Sequence, residues 1–344
     1  MMAIMGPSGC GKTTLLNVLA RRKASAKAQV SSTVLLNAQV PSPSAFRRLS
    51  SYVESEDALI GSLTVKETLQ FAAQLSLSGS VAATERIRRI HELLQAFGLT
   101  NQANTLIGTL LKKGISTGQK RRLSVASQLI SAPKILFLDE PTSGLDSAAS
   151  FKVMSYVREV ARLNKLIVIA SIHQPSTATF ELFDKLLLLS GGKVCFSGLV
   201  NEVKPYFNNI GFAMPLRTNP AEFVLDLINA DFDTDEEACH TKITQIQDSW
   251  SSSTSASIEI STIADMTRGR DISTYCDSEA SRRRIITTIW ILLHRSWIKS
   301  RRDAVVYGVR FVMYLGLAIM MGTVWLRLQP IESSMQPFAN SILF

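Results

Sequence analysis

Three glycines fall within six residues near the start of the chain, in the stretch GPSGCGKT at 6–13. Glycine adopts backbone conformations that other residues avoid, so this spacing allows successive N–H groups to point into one loop. The apolar run MAIM precedes the loop, and the apolar run LLNVLA follows it. The sequence therefore predicts a buried strand, a tight loop and a helix, which limits the chain to α/β folds that contain such a loop.

The same stretch carries residue types that bind phosphate. Inward-pointing N–H groups and the positive end of the following helix attract an anion, and Lys12 adds a charge for β- and γ-phosphates. The Thr13 hydroxyl is a suitable ligand for Mg²⁺. We interpret Cys10 as a small filler rather than a nucleophile. The alternative is a glycine-rich turn that only caps a helix, but the flanking apolar runs favour the phosphate loop.

The net charge of +9 comes mostly from one short segment. Between 281 and 302 every charged side chain is basic, and these are Arg282, Arg283, Arg284, Arg295, Lys299, Arg301 and Arg302. They leave only +2 for the remainder of the chain. This distribution excludes a diffuse nucleic-acid-binding surface, and we predict no nucleic-acid partner.

An apolar run follows the basic segment. The 23 residues 304–326 contain a single charge, at Arg310. At about 1.5 Å per residue, a helix of this length measures roughly 34 Å, which is enough to cross a bilayer. Basic residues directly before the run favour this interpretation and place that end in the cytoplasm. A long helix buried in a protein core is the alternative.

The first 230 residues alternate strand-like and helix-like runs, as α/β domains do. The apolar runs ILFL at 135–138 and LIVIA at 166–170 are typical of parallel strands covered on both faces. The stretch TVKE at 64–67 has the spacing of a capping box and predicts a helix start. Residues 231–280 are polar and rich in serine and threonine, which predicts a partly ordered linker. The cysteines show no C-x-x-C pairing, so we predict neither a zinc site nor disulfides.

Two acidic residues end a predicted strand in ILFLDEPTSGLD, residues 135–146. Asp139, at the end of the strand, is placed to hold Mg²⁺ through water. Glu140 is placed to polarise a water for attack on a γ-phosphate. Adjacent acids are common after apolar strands, but here they follow a phosphate loop in the same chain.

Two further motifs have both a functional and a structural interpretation. In GISTGQK, Ser116 and the N–H of Gly118 are placed to grip a phosphate at a helix N-terminus, and an ordinary helix cap is the alternative. In SIHQPS, His173 follows a predicted strand, where it is placed to contact the γ-phosphate or to orient the attacking water. A structural histidine is the alternative there.

The set of motifs resembles the nucleotide-binding domain of ATP-binding cassette (ABC) transporters. Their order is Walker A (6–14), Q-loop (near 55), signature (115–119), Walker B (135–140), D-loop (143–146) and H-loop (173). The stretches LTVKETLQFAA, DEPTSGLD, SIHQPS and NPAEF are similar to subfamily G, the white or pleiotropic-drug-resistance type, and among its members to fungal half-transporters. The resemblance covers the chain except for the linker.

This resemblance implies an α/β P-loop NTPase with a helical subdomain at about 62–125, followed by a transmembrane α-helix. It implies ATP and Mg²⁺ as cofactors, and two cassettes that close head to tail on two ATP molecules. The partner is a second half-transporter, so the assembly is a homodimer or a heterodimer in the lipid bilayer. The implied function is ATP hydrolysis that drives export of hydrophobic compounds or lipids, with the plasma membrane as the expected location.

The resemblance also assigns roles to individual residues. Glu140 activates water and His173 positions it, while Thr13 and Asp139 hold the metal ion. Ser116, Gly118 and Gln119 belong to the signature that reaches the partner's nucleotide, and Asp146 links the two sites. The implied cofactor-binding residues of the chain are Gly6, Pro7, Ser8, Gly9, Cys10, Gly11, Lys12, Thr13, Thr14, Ser55, Ser116, Gly118, Gln119 and Asp146.

Two positions depart from the pattern of the family. Ser55 stands where the Q-loop has glutamine, and its side chain is too short to reach Mg²⁺ directly. Thr117 stands where the middle glycine of the signature is usual, and its Cβ disfavours close approach to phosphate. We therefore predict weakened hydrolysis. The alternative functions are a non-catalytic membrane-bound partner that modulates an intact half-transporter, and a soluble P-loop enzyme such as a kinase.

The predicted domains follow from these assignments. Residues 1–230 form the cassette without its N-terminal strands, and 231–280 form the polar linker. A basic amphipathic connecting helix follows at 281–302, then the first transmembrane helix at 303–328 and the start of a further membrane segment at 329–344. Because family members have additional strands and spans, we expect the sequence to be a piece of a longer transporter.

Overall fold

A computed structural model describes most of the chain. The described residues are 1–22, 29–37, 39–56, 58–79, 81–109, 112–229, 236–254, 256–258, 261–262, 285–302 and 304–325. The chain divides into two compact units, Met1–Ile291 and Leu292–Phe344. The first contains the sheet and all of the predicted nucleotide-binding residues.

One six-stranded mixed sheet organises the first unit. The strands are β1 (Met2–Met5), β2 (Ser50–Val53), β3 (Ile135–Leu138), β4 (Ile167–Ser171), β5 (Lys185–Ser190) and β6 (Lys193–Leu199). Their order across the sheet is β2-β3-β4-β1-β5-β6. All neighbouring pairs are parallel except β5 and β6, which are antiparallel. The predicted α/β fold is therefore confirmed.

Twelve helices are found among the described residues of the two units. They are α1 (Lys12–Leu19), α2 (Pro43–Leu49), α3 (Val65–Ser76), α4 (Ala83–Ala96), α5 (Thr117–Leu129), α6 (Ser147–Asn164), α7 (Thr177–Phe180), α8 (Val203–Asn209), α9 (Pro220–Ile228), α10 (Glu236–Ser251), α11 (Ile285–Arg302) and α12 (Ala304–Trp325). Short 3-10 turns lie at Thr100–Gln102 and Val200–Glu202.

The strand order brings the predicted motifs to one edge of the sheet. All four residues of β3 are buried, as expected for a strand covered on both faces. Because β1, β3 and β4 are parallel neighbours, their carboxyl ends meet at the same edge. The phosphate loop leaves β1 there, the acids leave β3 there, and the SIHQPS stretch leaves β4 there.

A helical subdomain connects β2 to β3. It contains α3, α4 and α5, which pack on one another. The predicted capping box is confirmed, since the Thr64 hydroxyl accepts from the N–H of Glu67 at 3.2 Å and the Glu67 carboxylate accepts from the N–H of Thr64 at 2.9 Å. This box fixes where α3 begins, immediately after the loop that leaves β2.

The segment predicted as a polar linker contributes a packed helix to the first unit. Helix α10 contacts β6, with Ile243, Ile246 and Trp250 buried. The Trp250 ring lies 5.5 Å from that of Phe196 in β6. Its apolar residues recur at helical spacing between polar ones, so this part of the predicted, partly ordered linker is an ordered helix. Residues 263–284 of the predicted linker and connecting segment lie outside the described residues.

The second unit holds the predicted membrane segment as helix α12. Within the part of the chain that the structure describes, no helix is both long enough and apolar enough to cross a membrane. The span predicted at 303–328 therefore stays a prediction. The membrane segment predicted to begin at 329–344 lies outside the described residues.

Candidate nucleotide site

The phosphate loop turns sharply between β1 and α1. Gly11 has φ +102° and precedes the first helical residue, without supplying a side-chain acceptor for the helix N–H groups. At Gly6, an added Cβ would lie 2.1 Å from the carbonyl oxygen of Leu189 in β5. The loop therefore packs closely against the sheet at its start and presents uncapped N–H groups at its end. This cradle fits the phosphates of a nucleotide.

Lys12 lies inside the curve of this loop. Its side chain is buried, and Nζ donates to the carbonyl oxygens of Gly6 and Pro7, each at 2.8 Å. The ammonium is thus held among main-chain groups of the loop. Cys10 is buried with Leu16 in the adjoining core. Ser8, Gly9, Thr13 and Thr14 are exposed.

A chain of hydrogen bonds joins the loop to two other strands. The Thr13 hydroxyl donates to Oδ1 of Asp139 at 3.0 Å. The Ser171 hydroxyl donates to the same Oδ1 at 2.7 Å, and it accepts from the N–H of Glu140 at 2.9 Å. Asp139 and Ser171 are buried. The structure therefore brings together residues separated by more than a hundred positions in the chain.

The Thr13 and Asp139 oxygens suit Mg²⁺. This ion is held by one or two protein oxygens and completes its shell with water and substrate phosphates. A hydroxyl and a carboxylate at hydrogen-bonding distance beside a phosphate loop match that requirement. Among the described residues, no cluster of three or more His, Cys, Asp or Glu side chains could hold a metal. The donor set thus fits an ion that is shared with a phosphate-bearing ligand.

Glu140 has an unusual backbone conformation. Its φ is +44°, in the left-handed region that L-residues seldom adopt. Its N–H is bound by Ser171, and its carbonyl oxygen accepts from Arg121 at 2.6 Å. The residue is half-buried. Strained conformations persist only where their surroundings hold them, and here contacts from β4 and α5 do so.

A cavity of about 440 Å³ lies beside Asp139, and it is lined by Asn17, Arg22, Tyr52, Glu54, Ser55, Glu56 and Asp139. Ser55 is exposed at this cavity. Burial is the main cause that raises the pKa of Tyr52 above its usual value, and the nearby Asp139 carboxylate raises this pKa further. The Arg22 guanidinium lies 4.3 Å from the Tyr52 ring centroid and binds Glu54 at 2.5 Å. The Q-loop region is therefore rich in polar groups despite its missing glutamine.

The signature motif lies at the start of α5, apart from the phosphate loop. Ser116 caps α5, with its Oγ 3.3 Å from the N–H of Gln119, while Oε1 of Gln119 accepts from the N–H of Ser116 at 2.9 Å. Thr117 is the first helical residue and is exposed. The sequence left open whether this motif is only a helix cap, and in the structure Ser116 does cap α5.

The signature shares its surroundings with the D-loop. A second cavity, of about 390 Å³, is lined by Ser116, Thr117, Gly118, Arg122, Gly144, Leu145, Asp146, Ala148, Ala149, Lys152 and Val153. Asp146 caps α6, with Oδ1 accepting from the N–H of Ala149 at 2.7 Å. This cavity has no lining residue in common with the cavity beside Asp139. The predicted site residues therefore form two separate groups within one chain.

His173 follows β4 at the sheet edge that carries Asp139 and Glu140. Its side chain is exposed, two residues beyond the buried Ser171. The N–H of Ile172 donates to the carbonyl oxygen of Ile4 at 3.0 Å, which continues the pairing of β4 with β1 toward the phosphate loop. The fold thus places His173 at the correct edge for a role beside the γ-phosphate.

Comparison with known proteins identifies the family. A family model described as "ABC transporter" matches residues 1–143, and one described as "ABC-2 type transporter" matches 173–288. The chain is 37% identical to ABC transporter G family member 11 of Arabidopsis thaliana, over 95% of this chain and 48% of the relative. It is 35% identical to ABC transporter G family member 1 of Petunia hybrida, over 100% of this chain and 54% of the relative. The chain belongs to the ABC transporter G family.

Two further comparisons define the extent of the likeness. The G-family chain is 42% identical to the broad substrate specificity ATP-binding cassette transporter ABCG2 of Bos taurus, over 67% of this chain and 34% of the relative. The fold matches that of cbiO1 from Clostridium perfringens, part of the ABC transporter complex cbiONQ, with a TM-score of 0.50, 23% identity and coverage of 61% of this chain and 80% of that one. The chain spans about half or less of the length of these curated relatives.

The motifs of this G-family chain did not reveal all the residues that shape the site. Ser171, Tyr52 and Arg121 contact predicted site residues or their main chain. Arg22 binds Glu54, next to the predicted Ser55, and lies over the Tyr52 ring. Ser171 had a usable signal, because it ends a buried strand beside the strand that carries the acids. Arg121 had none, since it is one of three consecutive basic residues on a helix.

Proposed function

We propose that this chain is the ATP-binding and ATP-hydrolysing cassette of a G-family transporter that exports hydrophobic compounds or lipids. The observation that carries the proposal is the hydrogen-bonded series from Thr13 through Asp139 and Ser171 to Glu140. This series supports the proposal that Thr13 and Asp139 bind the metal and that Glu140 is the general base beside the phosphate-binding loop. Those are the parts that phosphoryl transfer to water requires.

Each group then has a physical task. The loop N–H groups and Lys12 bind the β- and γ-phosphates and orient them. Thr13 and Asp139 would hold Mg²⁺, which supplies positive charge to the phosphate oxygens. Glu140 accepts the proton of the attacking water, and His173 orients that water from the end of β4. Main-chain contacts at Glu140 keep its carboxylate in place without reorganisation during the reaction.

The separation of the two groups supports a dimer. Ser116, Gly118 and Asp146 line a cavity to which no residue of the phosphate loop of the same chain contributes. We therefore propose that two chains pair head to tail, so that the signature of each completes the phosphate site of the other. The partner is a second G-family half-transporter, either identical or different.

We also propose that the second unit attaches the chain to a membrane, with the plasma membrane as the first candidate. Helix α12 is 22 residues long and exposes large apolar side chains that include Phe311, Leu315 and Ile319. In the part of α11 that belongs to this unit, Trp297 is exposed and the helix ends in basic residues. Apolar and aromatic side chains next to a basic segment suit a lipid surface. Membranes that retain the chain after carbonate extraction support the proposal, and its release contradicts it.

The central test is ATP hydrolysis by the full chain in lipid vesicles. Wild-type protein is compared with Lys12→Met, which removes the phosphate-binding charge while preserving most of the side-chain volume. Magnesium-dependent turnover that the substitution abolishes supports the proposal. An equal rate for both proteins contradicts it. Export is tested separately with a fluorescent lipid analogue, and ATP turnover without any movement of lipids or hydrophobic dyes removes the export function alone.

Ser55 favours a second candidate function, that of a non-catalytic partner. Its short, exposed side chain stands where a longer polar one would reach toward the metal site. In this alternative the chain binds ATP and pairs with an intact half-transporter without hydrolysing its own nucleotide. The two functions are separated by nucleotide binding and turnover of the wild-type chain, because tight binding without turnover supports the partner function.

A further inference from the structure

Arg121 lies five positions after the signature serine, in the second turn of α5. Its side chain is 2% exposed. Burying a guanidinium is unfavourable unless its N–H groups find acceptors, so a fixed set of partners is expected around it. Arg121 was not among the residues that the motifs assigned to the site.

Four of its hydrogen bonds go to main-chain carbonyl oxygens around the acidic residues. Nε donates to Pro141 at 3.1 Å, and Nη2 donates to Asp139 at 3.2 Å and to Glu140 at 2.6 Å. Nη1 donates to the carbonyl oxygen of Glu54 at 2.8 Å. A single side chain of α5 therefore binds the loop after β3 and the loop after β2.

These contacts fix both peptide groups that flank Glu140. The peptide between Asp139 and Glu140 is bound through its carbonyl by Arg121 and through its N–H by Ser171. The peptide between Glu140 and Pro141 is bound through its carbonyl by Arg121. Since the flanking peptides set the direction of the Cα–Cβ bond, Arg121 contributes to aiming the Glu140 carboxylate in its positive-φ conformation.

The contact to Glu54 extends this arrangement to the Q-loop region. Glu54 directly precedes Ser55, and its carbonyl oxygen shares the guanidinium that holds Glu140. A displacement of this loop, or of α5 when the signature engages a nucleotide, would move the same guanidinium. The geometry gives a direct physical connection between three segments of the site.

We propose that Arg121 is a positioning residue that couples the signature helix and the Glu54–Ser55 loop to the general base Glu140. The inference rests on the proposed ATPase function, and it adds a residue that acts through the main chain rather than by touching the nucleotide. It predicts that loss of the guanidinium lowers turnover while leaving nucleotide binding nearly unchanged. If Arg121 had a purely structural role, its loss would reduce the folded fraction, and turnover and nucleotide binding would fall together.

The kinetic test uses the full chain in lipid vesicles with three variants. Arg121→Met removes the donors and retains the volume, and Arg121→Lys restores the charge with different geometry. Arg86→Met is the matched control, because Arg86 also donates to a main-chain carbonyl, that of Ser78 at 3.2 Å, but lies on α4. We expect Arg121→Met to lower kcat about tenfold or more with KM for ATP within about threefold, since catalysis is sensitive to small misplacements. Arg121→Lys should recover part of kcat, and Arg86→Met should match wild type.

A second measurement does not depend on activity. Hydrogen–deuterium exchange should become faster in Arg121→Met for peptides covering 139–146 and 54–56, while peptides covering β4 stay protected. Wild-type protein without ATP turnover would contradict the proposed function, and the exchange data would still test the contacts of Arg121. Unchanged exchange, or a kcat loss no greater than that of Arg86→Met, would overturn the inference. If Arg121→Met fails to fold, the test rests on Arg121→Lys. A kcat and an exchange rate equal to those of wild type in that variant would overturn the inference.

Discussion

Two groups of site residues differ in how they are held. The phosphate-loop group contains Thr13, Asp139, Glu140 and Ser171, and the signature group contains Ser116, Gly118 and Asp146. Asp139 and Ser171 are buried and hydrogen-bonded across neighbouring strands. Ser116 and Asp146 are exposed. The cap hydrogen bond that each of them accepts comes from the first turn of its own helix. The first group is therefore joined by hydrogen bonds between distant parts of the chain, and the second is held only by local ones.

The difference has a simple physical origin. The carboxyl ends of parallel strands meet at one edge, so side chains there bind one another over long sequence separations. A helix N-terminus needs only a local cap to be stable, and its remaining N–H groups and side chains stay accessible. We infer that the first group hydrolyses the nucleotide and that the second binds a nucleotide held by another chain.

The largest effect is expected from Glu140→Gln, in the phosphate-loop group. Glutamine keeps the size of the side chain but cannot accept the proton of water, so kcat should fall by about 10²- to 10⁴-fold. Nucleotide affinity should stay near that of wild type. Phosphate release assays and equilibrium binding of a fluorescent ATP analogue measure the two quantities, and a kcat within threefold of wild type would remove Glu140 from the mechanism.

Ser171→Ala should have the next largest effect. It leaves the Asp139 carboxylate and the Glu140 N–H each without one partner, and buried unpaired groups are costly, at roughly 1–3 kcal/mol each. We expect kcat to decrease about tenfold and the melting temperature to decrease as well. Ser176→Ala, which removes the half-buried serine that caps α7, serves as a control for the general loss of a serine hydrogen bond. Equal kcat for the two variants would contradict the role of Ser171.

Ser116→Ala tests the signature group. Removing the cap should destabilise the first unit by about 1 kcal/mol, and removing the phosphate-facing hydroxyl should lower turnover about fivefold. Thr64→Ala is the matched control, since it breaks an equivalent capping box at α3. If both variants lose stability equally and neither loses turnover, Ser116 is only a helix cap.

The same substitution tests the pairing of two chains. In mixtures of Ser116→Ala with Glu140→Gln chains, a head-to-tail dimer places both defects in one site and leaves the other site intact. Mixed samples should then show turnover above that expected for separate, unmixed chains. Turnover equal to the average of the two pure variants would indicate that each chain acts alone.

The smallest effect is expected from Ser55→Gln, in the cavity beside Asp139. A longer amide can reach the metal side of the cavity beside Asp139, so ATP turnover should increase by about two- to fivefold in the full chain. Ser55→Leu has similar length without polar atoms and should not increase turnover. An unchanged rate in Ser55→Gln would show that Ser55 does not weaken hydrolysis.

Several features of the fold could be predicted because they depend on short-range patterns. The bounds of β3 and the capping box at Thr64 follow from an apolar run and from a three-residue spacing, and the structure confirms both. Helix α10 was missed because its buried residues Ile243, Ile246 and Trp250 are separated by polar ones, in a segment that is polar overall. The packing surface offered by β6, which is invisible in the local composition, makes that helix part of the core.

The sequence alone determined which residue types bind phosphate and metal, because glycine spacing, lysine, threonine and paired acids carry that chemistry wherever they occur. Only the tertiary structure decided that Ser171 and Arg121 hold the two peptide groups beside Glu140, and that Ser116 and Asp146 line a cavity of their own. Those relations depend on strand order and on the burial of one guanidinium. Both arise from long-range packing, which no motif records.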